Sequence, residues 1–198
     1  MPDPDRVQRS LRERKQQRVR DAIVEAAHAL FGERGFDHVT VTDIADRAEV
    51  GRSTFFRYFG DKQEVAFAGS GVLEEVMATA DEIPVEAPIG DSLPKALNYV
   101  RAAVVSFVEA LTEQPAGYAL HEELVARHPE LHARRLMKQR SYAGALTELL
   151  MRQGAGRETA TLAAELGLAC YYAGQSAGGN DPARLVAAVD AAFARICP

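Results

Sequence analysis

The chain contains no tryptophan, and aromatic residues make up only 7% of the sequence. Its abundant alanine and leucine favour helices instead. The two cysteines, Cys170 and Cys197, form no Cys-x-x-Cys pair, so neither a zinc site nor a disulfide scaffold is expected. There is no apolar run long enough for a membrane span and no apolar signal core at the charged N-terminus. We therefore expect a cytoplasmic protein with no membrane partner.

The chain also lacks an excess of positive charge, since 28 acidic residues outnumber 23 basic ones and the formal net charge is −5. That total argues against a nucleic-acid binder, but its distribution along the chain changes the conclusion. Residues 1–20 hold seven basic and three acidic residues, and residues 1–62 carry a net charge of +1, whereas residues 63–198 carry −6. The acidity is concentrated away from the N-terminal third, which remains compatible with a nucleic-acid surface.

Residues 40–62, TVTDIADRAEVGRSTFFRYFGDK, have the pattern of two short helices joined by a tight turn. Thr40 can cap the first helix, with Asp43 as its reciprocal partner in a capping box. A second short helix opens near Arg52 and carries apolar positions that can pack back on the first. Two helices this short cannot bury their apolar faces alone, so they need the long helix predicted over residues 14–34.

The second short helix carries basic, hydroxyl and aromatic side chains outside its apolar positions. A helix-turn-helix offers its second helix to the major groove of DNA. Such side chains can donate to guanine edges, contact phosphates and meet a thymine methyl group. The residues concerned are Arg52, Ser53, Thr54, Phe56 and Arg57.

The same stretch resembles a known family. The order Thr-Val-x-x-Ile-Ala-x-x-Ala-x-Val, followed by Thr-Phe-Phe-x-Tyr-Phe-x-x-Lys, is similar to the DNA-binding domain of TetR-type transcriptional regulators. The resemblance covers roughly the first third of the chain. It implies that Arg52 reads a base or contacts a phosphate, and that Thr40, Thr54, Tyr58 and Lys62 lie at the DNA backbone.

Three positions depart from the family's pattern. Glu49 replaces the usual turn glycine at a position that often needs a positive φ. Gly51 replaces the usual serine cap, which weakens the cap only slightly. Phe56 replaces a tyrosine and lacks its hydroxyl, so a DNA contact there should be apolar or stacking.

The resemblance also implies an architecture: an all-α fold of about nine helices, with an N-terminal three-helix DNA-binding domain and a C-terminal helical domain for ligand binding and dimerisation. The chain then divides into a basic disordered arm (1–12), the helix-turn-helix domain (13–61) and the ligand-binding and dimerisation domain (62–198). A helix predicted from Lys62 to about Ala80 would act as a lever between the two domains.

Proline and glycine residues mark the breaks in the C-terminal part, the clearest being residues 83–94. Apolar periodicity between the breaks predicts five further helices. They cover about residues 92–113, 117–126, 129–152, 158–177 and 182–196, with Asp181 capping the last.

The last two predicted helices are rich in small apolar residues, including Ala169 and Ala173. In one interpretation they complete the core of a compact domain. In the other, which the family resemblance favours, they pair with the same helices of a second copy as a four-helix interface. Such a two-fold homodimer would match a palindromic double-stranded DNA operator.

A ligand pocket is expected among the central helices of the C-terminal domain. Aromatic and polar side chains there suit a mainly apolar small-molecule effector that makes one or two hydrogen bonds. Each residue taken singly is also compatible with ordinary core. The candidates are Phe107, Leu111, Tyr118, His121, Tyr142, Leu146, Tyr171 and Tyr172.

A metal site is the weaker interpretation of the histidines. His128 and His132 are four residues apart, with Glu122 and Glu123 upstream, but Pro129 lies between the two histidines at the start of a predicted helix. The two imidazoles therefore need not share a helical face, and no second spaced set supports a metal ion.

An enzyme and a protein-binding adaptor are the two other functions that a helical chain of this kind could have. No nucleophile-elbow pattern and no glycine-rich phosphate loop after a strand is present, so neither catalysis nor a bound cofactor is expected. A helical protein-binding adaptor would leave Arg52, Tyr58 and Lys62 without a role. We therefore predict a ligand-responsive transcriptional regulator, and specifically a repressor that a small molecule releases from its operator.

Overall fold

The computed structural model describes residues 4–67, 88–113, 115–179 and 181–197, with side chains from residue 14 onward. Within these ranges the regular structure is helical, and the one paired segment outside the helices is a parallel β-bridge between Gly90 and Ala155. The all-α prediction is confirmed. The chain separates into two compact units, Met1–Gly69 and Ser70–Pro198.

The described part of the first unit contains four α-helices and one short 3-10 turn, Phe36–His38. The helices are α1 (Pro4–Arg34), α2 (Val41–Arg47), α3 (Arg52–Tyr58) and α4 (Lys62–Ala66). The described part of the second unit contains five more: α5 (Leu93–Thr112), α6 (Pro115–Arg127), α7 (Pro129–Arg152), α8 (Arg157–Gly178) and α9 (Pro182–Phe193).

The first helix is longer than the sequence predicts. Its backbone is helical from Pro4, within the residues 1–12 that the sequence analysis assigns to a basic arm. The physical reason is local propensity. Arginine, glutamine and leucine are strong helix formers, and they extend a helix that the apolar stripe further along already nucleates.

The helices of the first unit share one apolar core. α1 contacts α2, the 3-10 turn and α4, and α2 contacts α3. Each element contributes at least one fully buried side chain, and these include Ile23, Leu30, Phe36, Ile44, Phe55 and Val65. Burying an apolar side chain of this size contributes about 1.5–3 kcal/mol, which is why three helices of five to seven residues persist here.

The boundary between the units lies further along than residues 61–62, where the sequence analysis places it. Val65 and Ala66 of α4 are buried in the first unit, whose compact part extends to Gly69. α4 ends at Ala66, where the N–H of Phe67 donates to the carbonyl of Glu64 at 3.1 Å. The continuous helix predicted to about Ala80 therefore stops early, and its remainder falls on residues that are not described.

In the second unit α8 is the central helix, packed against α5, α7 and α9. Small residues let its neighbours approach closely: a Cβ on Gly174 would lie 2.5 Å from a methyl carbon of Val189 and 2.6 Å from its Cα. The fully buried side chains around α8 include Val100, Leu149, Leu150, Leu185 and Phe193. α8 and α9 therefore pack closely against each other.

The predicted helices of the second unit agree with the observed ones to within three residues at each end. α6 begins at Pro115, two residues before its predicted start, because proline is well suited to a first helical turn. α9 ends at Phe193 and not Ile196, since residues 194–196 form turns. Over the described ranges, no helix has the length and apolar character needed to cross a membrane.

Candidate functional site

α2 is fixed at its start by the capping box that the sequence predicts. The N–H of Asp43 donates to Oγ1 of Thr40 at 3.1 Å, and the N–H of Thr40 donates to Oδ2 of Asp43 at 2.8 Å. The Thr40 hydroxyl also donates to the same carboxylate. These hydrogen bonds from Thr40 hold the pKa of Asp43 below its usual value. The cap defines where the first short helix begins.

The turn between α2 and α3 contains the strained residue that the sequence suggests. Glu49 has φ = 54°, the left-handed conformation that glycine adopts without strain. The N–H of Val50 then donates to the carbonyl of Ala45 at 2.9 Å, which closes the turn. α3 follows at once, with Gly51 as its cap.

α3 buries Phe55 and exposes most of its polar side chains. Phe55 is fully buried and the following Phe59 is 3% exposed, with their ring centroids 5.8 Å apart. Phe56 points outward and is 49% exposed. Arg52, Ser53 and Arg57 are also exposed, while Thr54 and Tyr58 are half-buried. The structure thus brings six of the eight predicted DNA-binding residues onto one short helix.

A groove of about 280 Å³ lies between α1 and α3. It is lined by Lys15, Gln16 and Val19 from α1 and by Arg57 and Tyr58 from α3. The Arg57 guanidinium lies 5.3 Å from the centre of the Tyr58 ring, a cation–π contact between two of the lining residues. The groove therefore offers two cationic groups, an amide and a phenol. Proteins use hydrogen-bond donors of these kinds to bind phosphate oxygens.

Sequence reasoning missed Lys15 and Gln16 as site residues. The signal for them in the sequence is the run of basic residues before residue 20, which does not indicate which of these side chains face α3. Their position beside Arg57 depends on how α1 crosses α3, a tertiary relationship that no local pattern specifies.

Two of the predicted DNA contacts have internal partners. The Lys62 ammonium donates to the carbonyls of Phe36 at 2.8 Å and Val39 at 3.1 Å. The Thr40 hydroxyl proton is directed to Asp43. A phosphate contact would use the third N–H of Lys62 and would need the Thr40 hydroxyl to exchange its acceptor. For these two residues DNA contact therefore stays a prediction.

Other charged groups near α2 neutralise one another. Arg47 forms a bidentate pair with Glu33, with distances of 2.7 and 2.8 Å, and this pair lowers the pKa of Glu33. Arg34 lies 3.6 Å from Asp43. These arginines link α1 to α2 and were not predicted as DNA contacts.

The predicted pocket residues lie on α5 to α8 in the second unit. Tyr118 and Leu146 are buried, and Phe107, Leu111, Tyr142, Tyr171 and Tyr172 pack partly buried against the same core. His121 is half-buried on α6. The acidic residues considered for a metal site have other partners: Glu122 pairs with Arg135 and Glu123 with Arg127, each at 2.9 Å.

The first unit, called the head below, has an apolar core and two short helices, the second of which exposes basic and aromatic side chains. This arrangement is that of helix-turn-helix DNA-binding proteins. Comparison with known proteins agrees. The family model "Bacterial regulatory proteins, tetR family" matches residues 23–68. The HTH-type transcriptional regulator TcmR of Streptomyces glaucescens is 34% identical over 143 residues, 71% of this chain and 62% of TcmR. The match thus spans less than two-thirds of that relative's length.

A second relative, the uncharacterized HTH-type transcriptional regulator YdeS of Bacillus subtilis strain 168, is 30% identical over 69% of this chain and 67% of its own length. Among solved structures, SmeT in complex with triclosan superposes with a TM-score of 0.55 and 19% identity, covering 89% of this chain and 90% of SmeT. The chain belongs to the tetR family of bacterial regulatory proteins. Both of these relatives are named as HTH-type transcriptional regulators.

Proposed function

We propose that the protein is a homodimeric repressor that binds a palindromic DNA operator and is released by a small-molecule effector, in the cytoplasm where the DNA lies. The observation that carries the proposal is the division of α3. Phe55 and Phe59 anchor the helix in the core, and Arg52, Ser53 and Phe56 are exposed to solvent. This is the arrangement by which a recognition helix reads base edges.

The groove beside α3 supports a role in binding the DNA backbone. We propose that Arg57, Tyr58, Lys15 and Gln16 hold a phosphate that flanks the bases read by Arg52. Phosphate contacts fix the register of a protein on the duplex, whereas base contacts carry the sequence information. Arg52 and Phe56 are therefore expected to set specificity, and the groove residues to set affinity.

Exposed small residues on the last two helices support a two-fold dimer. Leu162 is 49% exposed on α8, and Ala169 and Ala173 follow it at helical spacing and are also exposed. On α9, Ala187 and Ala191 are exposed. Since the opposite faces of both helices are used within the chain, these residues are available to the same helices of a second copy.

The effector is proposed to act in the aromatic region of the second unit. A ligand can shift a DNA-binding equilibrium only by its difference in affinity for the two states. We propose that effector binding changes the distance between the two recognition helices of the dimer, through the segment that follows Lys62. Operator affinity should therefore differ with and without ligand.

The test is fluorescence anisotropy with labelled duplexes from the region upstream of the gene, titrated from about 50 to 200 mM salt. A regulator with about six phosphate contacts should lose affinity by the order of 10³-fold over that range, because bound phosphates release counterions. Unrelated duplexes should bind more weakly with a similar salt slope. Salt-independent or absent binding would contradict the proposal and favour a protein adaptor.

Arginine variants sharpen the test. Arg52→Ala should weaken operator binding by about 1–3 kcal/mol and relax the preference at one base step. Arg57→Ala should weaken all duplexes alike and reduce the salt slope by about 1. Arg157→Ala, an exposed arginine at the start of α8, is the matched control and should change neither.

A further inference from the structure

The two cysteines are far apart in the sequence, but the fold places both in the apolar core of the second unit. Cys170 on α8 is 6% exposed within that core. Cys197 follows the end of α9 and is partly buried against the same core. Both are free thiols. The packing of α8 and α9 therefore brings together two reactive groups that no local sequence pattern pairs.

A contact between α8 and α9 fixes the positions of the two thiols. A Cβ on Gly167 of α8 would lie 3.7 Å from Cζ of Phe193, the fully buried last residue of α9. Cys170 follows Gly167 by three residues and so lies on the same face of α8. Cys197 follows Phe193 by four residues, and its N–H donates to the Phe193 carbonyl at 2.9 Å. Each thiol therefore lies about one helical turn from the same interhelical contact.

Charged and titratable neighbours also place Cys197 close to Cys170. Burial, and then the proximity of Cys197, raises the pKa of Cys170, so the Cys170 thiol keeps its proton at neutral pH. The hydrogen bond to Asp190 raises the pKa of Arg101 on α5, and nearby Cys197 adds to that rise. Cys197 therefore has a second thiol and a guanidinium as neighbours.

The two thiols differ in their access to solvent. Oxidants in solution react with cysteines that are accessible, whereas buried, protonated thiols are inert toward them. Cys170 is of the buried kind. Cys197 is partly exposed, and residues 194–196 before it form turns and do not continue α9. An oxidant should therefore react with Cys197 first.

We infer that Cys197 is a peroxide-reactive thiol and Cys170 its resolving partner, so that hydrogen peroxide converts the pair into a reversible disulfide. First, the Cys197 sulfur attacks peroxide: an S–O bond forms, the O–O bond breaks, and the thiol proton leaves with hydroxide as water. The Cys170 sulfur then displaces the hydroxyl group: the S–S bond forms, the S–O bond breaks, and a second water carries away the Cys170 proton. The two thiols are oxidised and one peroxide is reduced.

The inference is independent of the proposed function, since it requires neither DNA nor an effector. It also differs from a disulfide scaffold, because both thiols are free in the fold described here. In a reducing compartment, a disulfide that forms on oxidation is typical of a redox sensor. The disulfide would join α8 to the segment that follows α9.

The first experiment maps the disulfide in the native chain. The reduced protein is treated with hydrogen peroxide, digested with trypsin and analysed by mass spectrometry. Trypsin cleaves after Arg157, Arg184 and Arg195, so the two cysteines fall in different peptides. These two peptides should be joined, and dithiothreitol should separate them. Absence of the joined peptides, or a link between Cys197 residues of two chains on a non-reducing gel, would overturn the inference.

Two variants test the order of the steps. Peroxide-treated Cys170→Ala should stop at the sulfenic acid of Cys197, which dimedone labels, because no resolving thiol remains. Cys197→Ser should yield neither the label nor a disulfide, because Cys170 is buried. Labelling of Cys170 in that variant, or no labelling of Cys197 in Cys170→Ala, would contradict the assigned roles. Circular dichroism verifies that both variants are folded, and the peptide map of the native chain decides the matter if Cys170→Ala is not.

Calorimetry tests whether the disulfide fits the native fold. Peroxide should raise the thermal midpoint of the native chain by about 5 °C, because the link restricts the unfolded chain. Cys197→Ser treated in the same way cannot form the link and should show no rise. A midpoint that is unchanged or lower in the oxidised native chain would show that the two thiols are not neighbours in the fold, and would overturn the inference.

Discussion

The Lys62 ammonium lies 2.8 Å from the carbonyl oxygen of Phe36 and 4.3 Å from the centre of the Phe36 ring. A second hydrogen bond of 3.1 Å reaches the carbonyl of Val39. One side chain at the start of α4 therefore holds both ends of the connection between α1 and α2. Lys62 has a structural role in the head in addition to the DNA contact that the sequence predicts.

Lys62→Met keeps the aliphatic stem and removes the ammonium. We expect the free energy of unfolding of the head to fall by about 1–2 kcal/mol, because two carbonyls lose a charged donor. The methyl NMR signals of Ile23 and Ile44, both fully buried in the head, report this unfolding during a urea titration. Lys15→Met removes an exposed lysine and should leave stability unchanged. Equal losses of unfolding free energy in Lys62→Met and Lys15→Met would contradict the structural role of Lys62.

Thr40→Ala removes the cap of α2. The head should lose about 1 kcal/mol of unfolding free energy, the usual effect of deleting a capping side chain. Thr40→Ser retains the hydroxyl and should restore most of that loss, measured by the same two isoleucine signals. If Thr40→Ala instead leaves stability intact and weakens DNA binding alone, Thr40 acts at the DNA and not as a cap.

Acid should weaken the same cap. The hydrogen bonds from Thr40 lower the pKa of Asp43 in the folded protein. The carboxylate therefore stabilises the fold fully above its unfolded pKa, and that stabilisation is lost as pH falls through the lower folded value. The difference in thermal midpoint between the native chain and Asp43→Asn should shrink between about pH 6 and pH 2. A difference that stays constant with pH would show that the charge of Asp43 is unimportant.

Glu49→Gly should stabilise the head by about 0.5–1 kcal/mol. A left-handed conformation costs a non-glycine residue about 1–2 kcal/mol, and the greater freedom of glycine in the unfolded chain cancels part of the gain. Ala48→Gly is the control one residue earlier, where φ is −81° and no strain exists to relieve. That variant should lose about 0.5–1 kcal/mol. A change in unfolding free energy of the same sign in both variants would show that Glu49 is not strained.

Gly174→Ala tests the contact between α8 and α9. The added Cβ would lie 2.6 Å from the backbone nitrogen of Val189, so one helix must move, at a cost of about 1–3 kcal/mol. Gly144→Ala on α7 meets nothing within 4 Å and should stabilise its helix by up to about 1 kcal/mol. Calorimetry compares the two thermal midpoints. A tolerated Gly174→Ala would show that the helices are not in backbone contact.

The sequence predicted well those features that depend on neighbours in the chain. The capping box of Thr40 and Asp43 involves residues three apart, and the positive φ of Glu49 follows from its position in the turn. Both could be identified because side chain and backbone chemistry act locally. The two faces of α3 follow in the same way from helical spacing.

Contacts between distant residues could not be predicted. Lys62 and Phe36 are 26 residues apart, and Glu122 and Arg135 are 13 apart on different helices. Each interaction depends on how helices cross, which periodicity does not determine. The helical start at Pro4 was missed for another reason: a basic composition suggested an arm, whereas the individual residues favour a helix.

The partition of side chains along α3 also bears on how such a protein diversifies. Phe55 and Phe59 are buried and hold the helix in place, whereas Arg52, Ser53 and Phe56 are exposed. If the proposed function is correct, substitutions at these exposed positions change the DNA sequence that is recognised while the buried core that folds the helix stays the same. After gene duplication, a new binding specificity then requires changes in as few as three codons.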